Sequence, residues 1–158
     1  MLKYLNTAVT FAEFPDEISL CINITGCKIN CKGCHSSYLS KDIGEVLSLE
    51  QLQGLIESNK GITLVGFMGG DSNPEEVNKL AKWIRENYPE LHIGWYSGKQ
   101  LLADSVIDID NFDYIKLGPY IKQFGPLNNP HTNQNFYKID RNAHIMIWCT
   151  DIFWKEAE

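Results

Sequence analysis

Residues 18–34 read ISLCINITGCKINCKGC, and the two halves of this stretch obey different rules. In the first half Ile18, Leu20, Ile22 and Ile24 share one parity, and Ser19, Cys21, Asn23 and Thr25 share the other. That alternation predicts a β-strand over 18–25. The second half continues directly from the strand and places Cys27, Cys31 and Cys34 in the spacing Cys-x3-Cys-x2-Cys. Three thiols are one short of a closed structural zinc site, and an odd number for disulfides. A strand that runs straight into such a loop sets the frame for the rest of the chain.

Further strands are predicted at 62–69 (ITLVGFMG), a nearly continuous apolar run, and at 92–97, 114–118 and 143–149. Helices fall between them. Ser48 with Gln51 three residues on is a capping box, followed by Leu49, Leu52, Leu55 and Ile56 at helical spacing. Asn73 caps a second helix, with Pro74 at its first position and Glu75 and Glu76 in its first turn. Val77, Leu80, Ala81 and Ile84 form its apolar stripe, and Tyr88 ends it before Pro89. A third, shorter helix is expected over 99–105. Strand–helix alternation predicts an α/β fold with a mostly parallel sheet, whose site lies in the loops at the carboxyl ends of the strands. The cysteine loop, GGDS (69–72), SGK (97–99) and GPY (118–120) all fall at that rim.

The chain has 158 residues, 44% hydrophobic and 22% charged, which suits a single soluble domain over 1–158. A net charge of −6 argues against a nucleic-acid or anionic-membrane partner, since each demands a basic face. No run of about 18 apolar residues is present. The N-terminal stretch lacks the pattern of a signal peptide, so a reducing cytoplasm is expected. Clustered thiols there act as metal ligands or redox groups. Two readings of the loop remain at this level. One is zinc, with His35, Cys149 or an Asp completing the site. The other is a [4Fe–4S] cluster held by three thiolates, with its fourth iron left open.

The cysteine spacing after the first predicted strand of an α/β chain resembles the radical S-adenosylmethionine superfamily. The resemblance implies that Cys27, Cys31 and Cys34 hold the cluster and that the open iron chelates S-adenosylmethionine. One electron then cleaves the cofactor and yields a 5′-deoxyadenosyl radical. Gly33, before the third cysteine, makes the loop similar to that of the activating proteins of anaerobic ribonucleotide reductases. In those an aromatic residue commonly follows the third cysteine, where this chain has His35. Gly69-Gly70-Asp71 resembles the family's Gly-Gly-Glu-like motif, which holds the cofactor's amino group. Two glycines let backbone approach a ligand closely, although a plain strand-to-helix turn would also use them. Ser97 matches the threonine of a WxWTGY segment, which implies a hydroxyl for the cofactor, although a turn before Gly98 would also use a serine.

DYIKLGPY (113–120) resembles a DVLVDGPF segment, with Lys116 departing from it. Parity places Lys116 opposite Ile115 and Leu117, toward the site or toward solvent. Asn133 and Gln134 match part of an xSNQR stretch. Cys21 and Cys149 are read as core residues.

The resemblance implies a compact, incomplete (β/α) TIM-like barrel, because a full one needs roughly 200 residues or more. Its open side would admit a protein substrate, an anaerobic ribonucleoside-triphosphate reductase that receives a glycyl radical. A low-potential donor such as flavodoxin would supply the electron. The alternatives are an activase of a pyruvate formate-lyase type enzyme, a small-molecule radical enzyme, and a non-enzymatic iron–sulfur or zinc module.

Overall fold

The computed structural model describes residues 1–26 and 43–154. Among these residues eight strands form one sheet in the order β3-β1-β2-β4-β5-β6-β7-β8. They are β1 (Lys3–Thr10), β2 (Ser19–Ile24), β3 (Glu45–Val46), β4 (Leu64–Met68), β5 (His92–Tyr96), β6 (Tyr114–Leu117), β7 (Asn135–Asp140) and β8 (Ile145–Trp148). Helices α1 (Leu49–Glu57) and α2 (Pro74–Asn87) connect β3 to β4 and β4 to β5. The centre β2-β4-β5-β6 is parallel. The flanks are antiparallel: β3 and β1 on one side, β7 and β8 on the other. The sheet expected to be mostly parallel is therefore mixed.

The cap at Asn73 forms as its sequence indicates, and the capping box at Ser48 forms in its first half only. The Ser48 hydroxyl accepts from the Gln51 amide, while the Gln51 side chain turns to the Tyr4 hydroxyl on β1. The Asn73 side chain accepts from the Glu76 amide, and α2 buries Val77, Leu80, Ala81 and Ile84. That stripe and Leu52 and Ile56 of α1 pack on one face of the sheet. There they meet Leu20, Ile22 and Ile24 of β2, Val65 and Phe67 of β4, Ile93 and Trp95 of β5, and Ile115 of β6.

The opposite face has its own core of Phe14, Cys21, Leu64 and Phe136, with Met68, Tyr96 and Tyr114 packed against it. Its centre is a gap in the side-chain layer. Gly66 and Gly94 are register partners on β4 and β5. The ring of Phe14, from the segment between β1 and β2, fills the space over them. A Cβ on Gly94 would lie 2.2 Å from Phe14 Cε1, and one on Gly66 2.7 Å from Cε2. Tyr96, whose ring is edge-on to Phe14 at 5.0 Å, donates its hydroxyl to the Glu13 carbonyl and locks the segment down.

Residues 99–105 form bends and a turn instead of the expected helix. The backbone there is already committed: the Lys99 amide donates to the Ser97 hydroxyl and the Lys99 carbonyl accepts from Gly118. A short 3-10 helix at Ile109–Asn111 precedes β6 instead. No helix among the described residues is long and apolar enough to cross a membrane.

Candidate functional site

Each parallel strand runs into a loop at the same rim, and hydrogen bonds sew these loops to one another. After β2, the Thr25 amide donates to the Lys3 carbonyl, and its hydroxyl lies 2.6 Å from the carbonyl of Ile43. Thr25 and Ile43 flank the residues that carry the cysteines, and this bond joins the two flanks at the carboxyl end of β2. Cys27, Cys31, Gly33, Cys34 and His35 themselves lie outside the described residues. Gly26, at φ +77°, opens the span, and its nearest neighbour in the Cβ direction is the Ser72 hydroxyl at 4.0 Å. Gly26, the residue before Cys27, thus lies beside the turn that follows β4.

That turn is Gly69-Gly70-Asp71-Ser72. Gly69 and Gly70 have φ of +111° and +98°, a region that L-residues with side chains avoid. A Cβ on Gly70 would also meet Val77 Cγ2 at 2.6 Å. Trp95 holds the turn from below: its indole donates to the Gly69 carbonyl at 2.7 Å. The Trp95 ring is buried in the core, and its one polar atom serves the turn.

Asp71 and Ser97, placed separately at the site by sequence, are brought into direct contact. Both are buried. The Ser97 hydroxyl donates to Asp71 Oδ1 at 2.5 Å and the Gly98 amide donates to Oδ2 at 2.8 Å. From there the Lys99 carbonyl accepts from the Gly118 amide at 2.7 Å, and Asn133 donates to the Pro119 carbonyl at 3.0 Å. Gln134 is buried against Gly118. Lys116 is buried rather than extended to solvent; its ammonium donates to the Gly118 carbonyl at 3.0 Å and sits 5.3 Å from the centre of the Tyr96 ring.

The two described thiols are poor ligands. Burial, reinforced by the charge of Glu13, pushes Cys21 up to about 12, and burial also raises Cys149. Thiolate, not thiol, binds metal, so these groups stay neutral near pH 7. Tyr96 is raised well above its usual value, first by burial and then by Glu13. Among the described residues no group of three or more His, Cys, Asp or Glu could hold a metal ion. By chemistry, three soft thiols in one short stretch, Cys27, Cys31 and Cys34, suit iron–sulfur ligation.

The chain belongs to the 4Fe-4S single cluster domain family, whose pattern matches residues 18–116, and this makes it an iron–sulfur protein. Those bounds run from just before β2 into β6, the parallel part of the sheet. The anaerobic ribonucleoside-triphosphate reductase-activating protein of Enterobacteria phage T4 is 27% identical over 99 residues, covering 54% of this chain and 64% of its own. The chain therefore spans just under two thirds of that relative. The resemblance to the activating-protein family drawn from the cysteine loop is borne out by these two matches. No solved structure matches significantly.

Proposed function

We propose that this protein is an iron–sulfur activase that reductively cleaves S-adenosylmethionine and leaves a glycyl radical on an anaerobic ribonucleotide reductase. The observation that carries the reading is that the residues flanking the three cysteines, Thr25 and Ile43, are joined at the rim, with Gly26 beside the Gly69–Ser72 turn. Cys27, Cys31 and Cys34 would hold the cluster. When bound, it supplies one electron and an iron open to the cofactor's amino and carboxylate groups. The protein's share is to hold the rim loops in one geometry. Asp71, Ser97, the Lys99 carbonyl and Gly118 link three of them.

The sheet is read as an open (β/α) barrel of the radical S-adenosylmethionine type. Sequential order of the parallel strands and helices packed on one face support this. An open side leaves the rim accessible to a polypeptide carrying the target glycine. The electron would come from a low-potential donor such as flavodoxin.

Anaerobic reconstitution with iron and sulfide tests the site. Four irons and four sulfides per chain are expected, and a Cys31→Ala variant should lose the cluster. Zinc uptake with no sulfide would favour the zinc module. Incubation of the reconstituted protein with dithionite, S-adenosylmethionine and either an anaerobic ribonucleotide reductase or a pyruvate formate-lyase, read by electron paramagnetic resonance, separates the two activase readings. The radical should appear on the reductase.

A further inference from the structure

We propose that Asp71 is the positioning residue of the rim, a buried carboxylate that fixes the 97–99 turn and through it the loop after β6. The inference rests on the activase reading for its ligand, and on geometry alone for the latch itself.

A carboxylate is expensive to bury unless its oxygens are taken by donors. Asp71 has both oxygens so engaged, by the Ser97 hydroxyl and the Gly98 amide. The Ser97 hydroxyl is used twice, donating to Asp71 and accepting from the Lys99 amide at 3.2 Å. Ser97 itself is 1% exposed. The two side chains that sequence offered as cofactor contacts are therefore directed at each other. From Lys99 the chain of bonds continues to Gly118 and, through Pro119, to Asn133. One charge after β4 thus organises the loops after β5 and β6. Asp71 acts on the cofactor through these loops.

The test uses the reconstituted holoprotein and four variants: Asp71→Ala, Asp71→Asn, Ser97→Ala and the Asp71→Ala/Ser97→Ala double variant. Hydrogen exchange at the Gly98 and Lys99 amides reads the latch. Hydrogen bonds to a charged group carry enough energy that their loss should speed exchange at Gly98 about tenfold or more in Asp71→Ala. Exchange at Val65, in the middle of β4, should stay as in wild type. Asp71→Asn keeps one acceptor oxygen and should fall between.

S-Adenosylmethionine titration of the reduced cluster's paramagnetic signal reads the consequence. The dissociation constant should rise about tenfold in Asp71→Ala with iron content unchanged, and the double variant should be no weaker than Asp71→Ala alone. Unchanged exchange at Gly98 would overturn the latch. A Ser97→Ala effect that multiplies in the Asp71→Ala background would instead make Ser97 a direct contact. Faster exchange with unaltered affinity would reduce Asp71 to a structural residue. Should the wild-type signal not respond to S-adenosylmethionine at all, the activase reading falls and the exchange arm still decides the latch.

Discussion

Replacing Phe14 and Gly94, singly and together, tests how the second core is built. Phe14 is fully buried, and its ring covers the backbone of Gly66 and Gly94. Truncating a buried phenylalanine to alanine costs about 3–5 kcal/mol, the upper part applying where neighbours cannot collapse. Here the floor of the cavity is the backbone of two central parallel strands, which cannot move inward without breaking the ladder. Phe14→Ala should therefore fall near the upper end.

Gly94→Ala is the converse. Its new Cβ would lie 2.2, 2.5 and 2.9 Å from three atoms of the Phe14 ring. Overpacking of this kind costs about 1–3 kcal/mol. In the double variant the alanine methyl enters space the ring has vacated, so the two losses should not add. A coupling energy of about 1–3 kcal/mol is expected, of the sign that makes the double variant more stable than the sum. Anaerobic urea denaturation of the four proteins, with slopes compared to confirm a common transition, measures it. Additivity to within about 0.5 kcal/mol would refute the placement of Phe14 over Gly94.

Three further outcomes are expected from the same geometry. Asn73→Ala removes the side chain that accepts from the Glu76 amide, and should lower stability by about 1 kcal/mol in urea titration. Trp95→Phe keeps an aromatic ring but strips the Gly69 carbonyl of its indole donor; a loss of about 1–3 kcal/mol is expected, and an unchanged urea midpoint would deny the bond its role. Cys21 is raised from 9.0 to about 12, first by burial and then by Glu13, and Tyr114 from 10.0 to about 12, first by burial and then by Glu17. Folding favours their neutral forms, so this stability is whole below pH 9 and is lost as pH rises toward about 12. A urea midpoint that stays flat across that window would contradict the burial of both groups.

Much of the helix-bearing half is legible in the sequence because its signals are local. The alternation of Leu20, Ile22 and Ile24, the cap at Asn73 and the stripe from Val77 to Ile84 each lie within one element, and each appears as read. Strand β1 is not legible, because it buries only Tyr4 among its residues and shows no alternation. Strand β7 is not among the strands that the sequence predicts, because Phe136 and Ile139, three residues apart, anchor it to opposite cores and leave no one-sided alternation. Cys21 has the parity of a polar face. It is apolar ground because Phe14 arrives from outside the strand and covers it.

Distant partners of this kind leave no mark in a periodicity. The same holds for the site. Gly69, Gly70, Asp71 and Ser97 are visible as motifs, but the contact between Asp71 and Ser97 joins residues 26 apart in sequence and depends on the register of β4 and β5.

Release of 5′-deoxyadenosine reads the proposed cleavage chemistry itself. The anaerobically reconstituted protein, given dithionite and S-adenosylmethionine with an anaerobic ribonucleotide reductase present, should release 5′-deoxyadenosine and methionine in equal amounts. The Cys31→Ala variant should release neither. A protein that carries the full complement of iron and sulfide and yet forms no 5′-deoxyadenosine, with dithionite or with a flavodoxin as donor, would contradict the account.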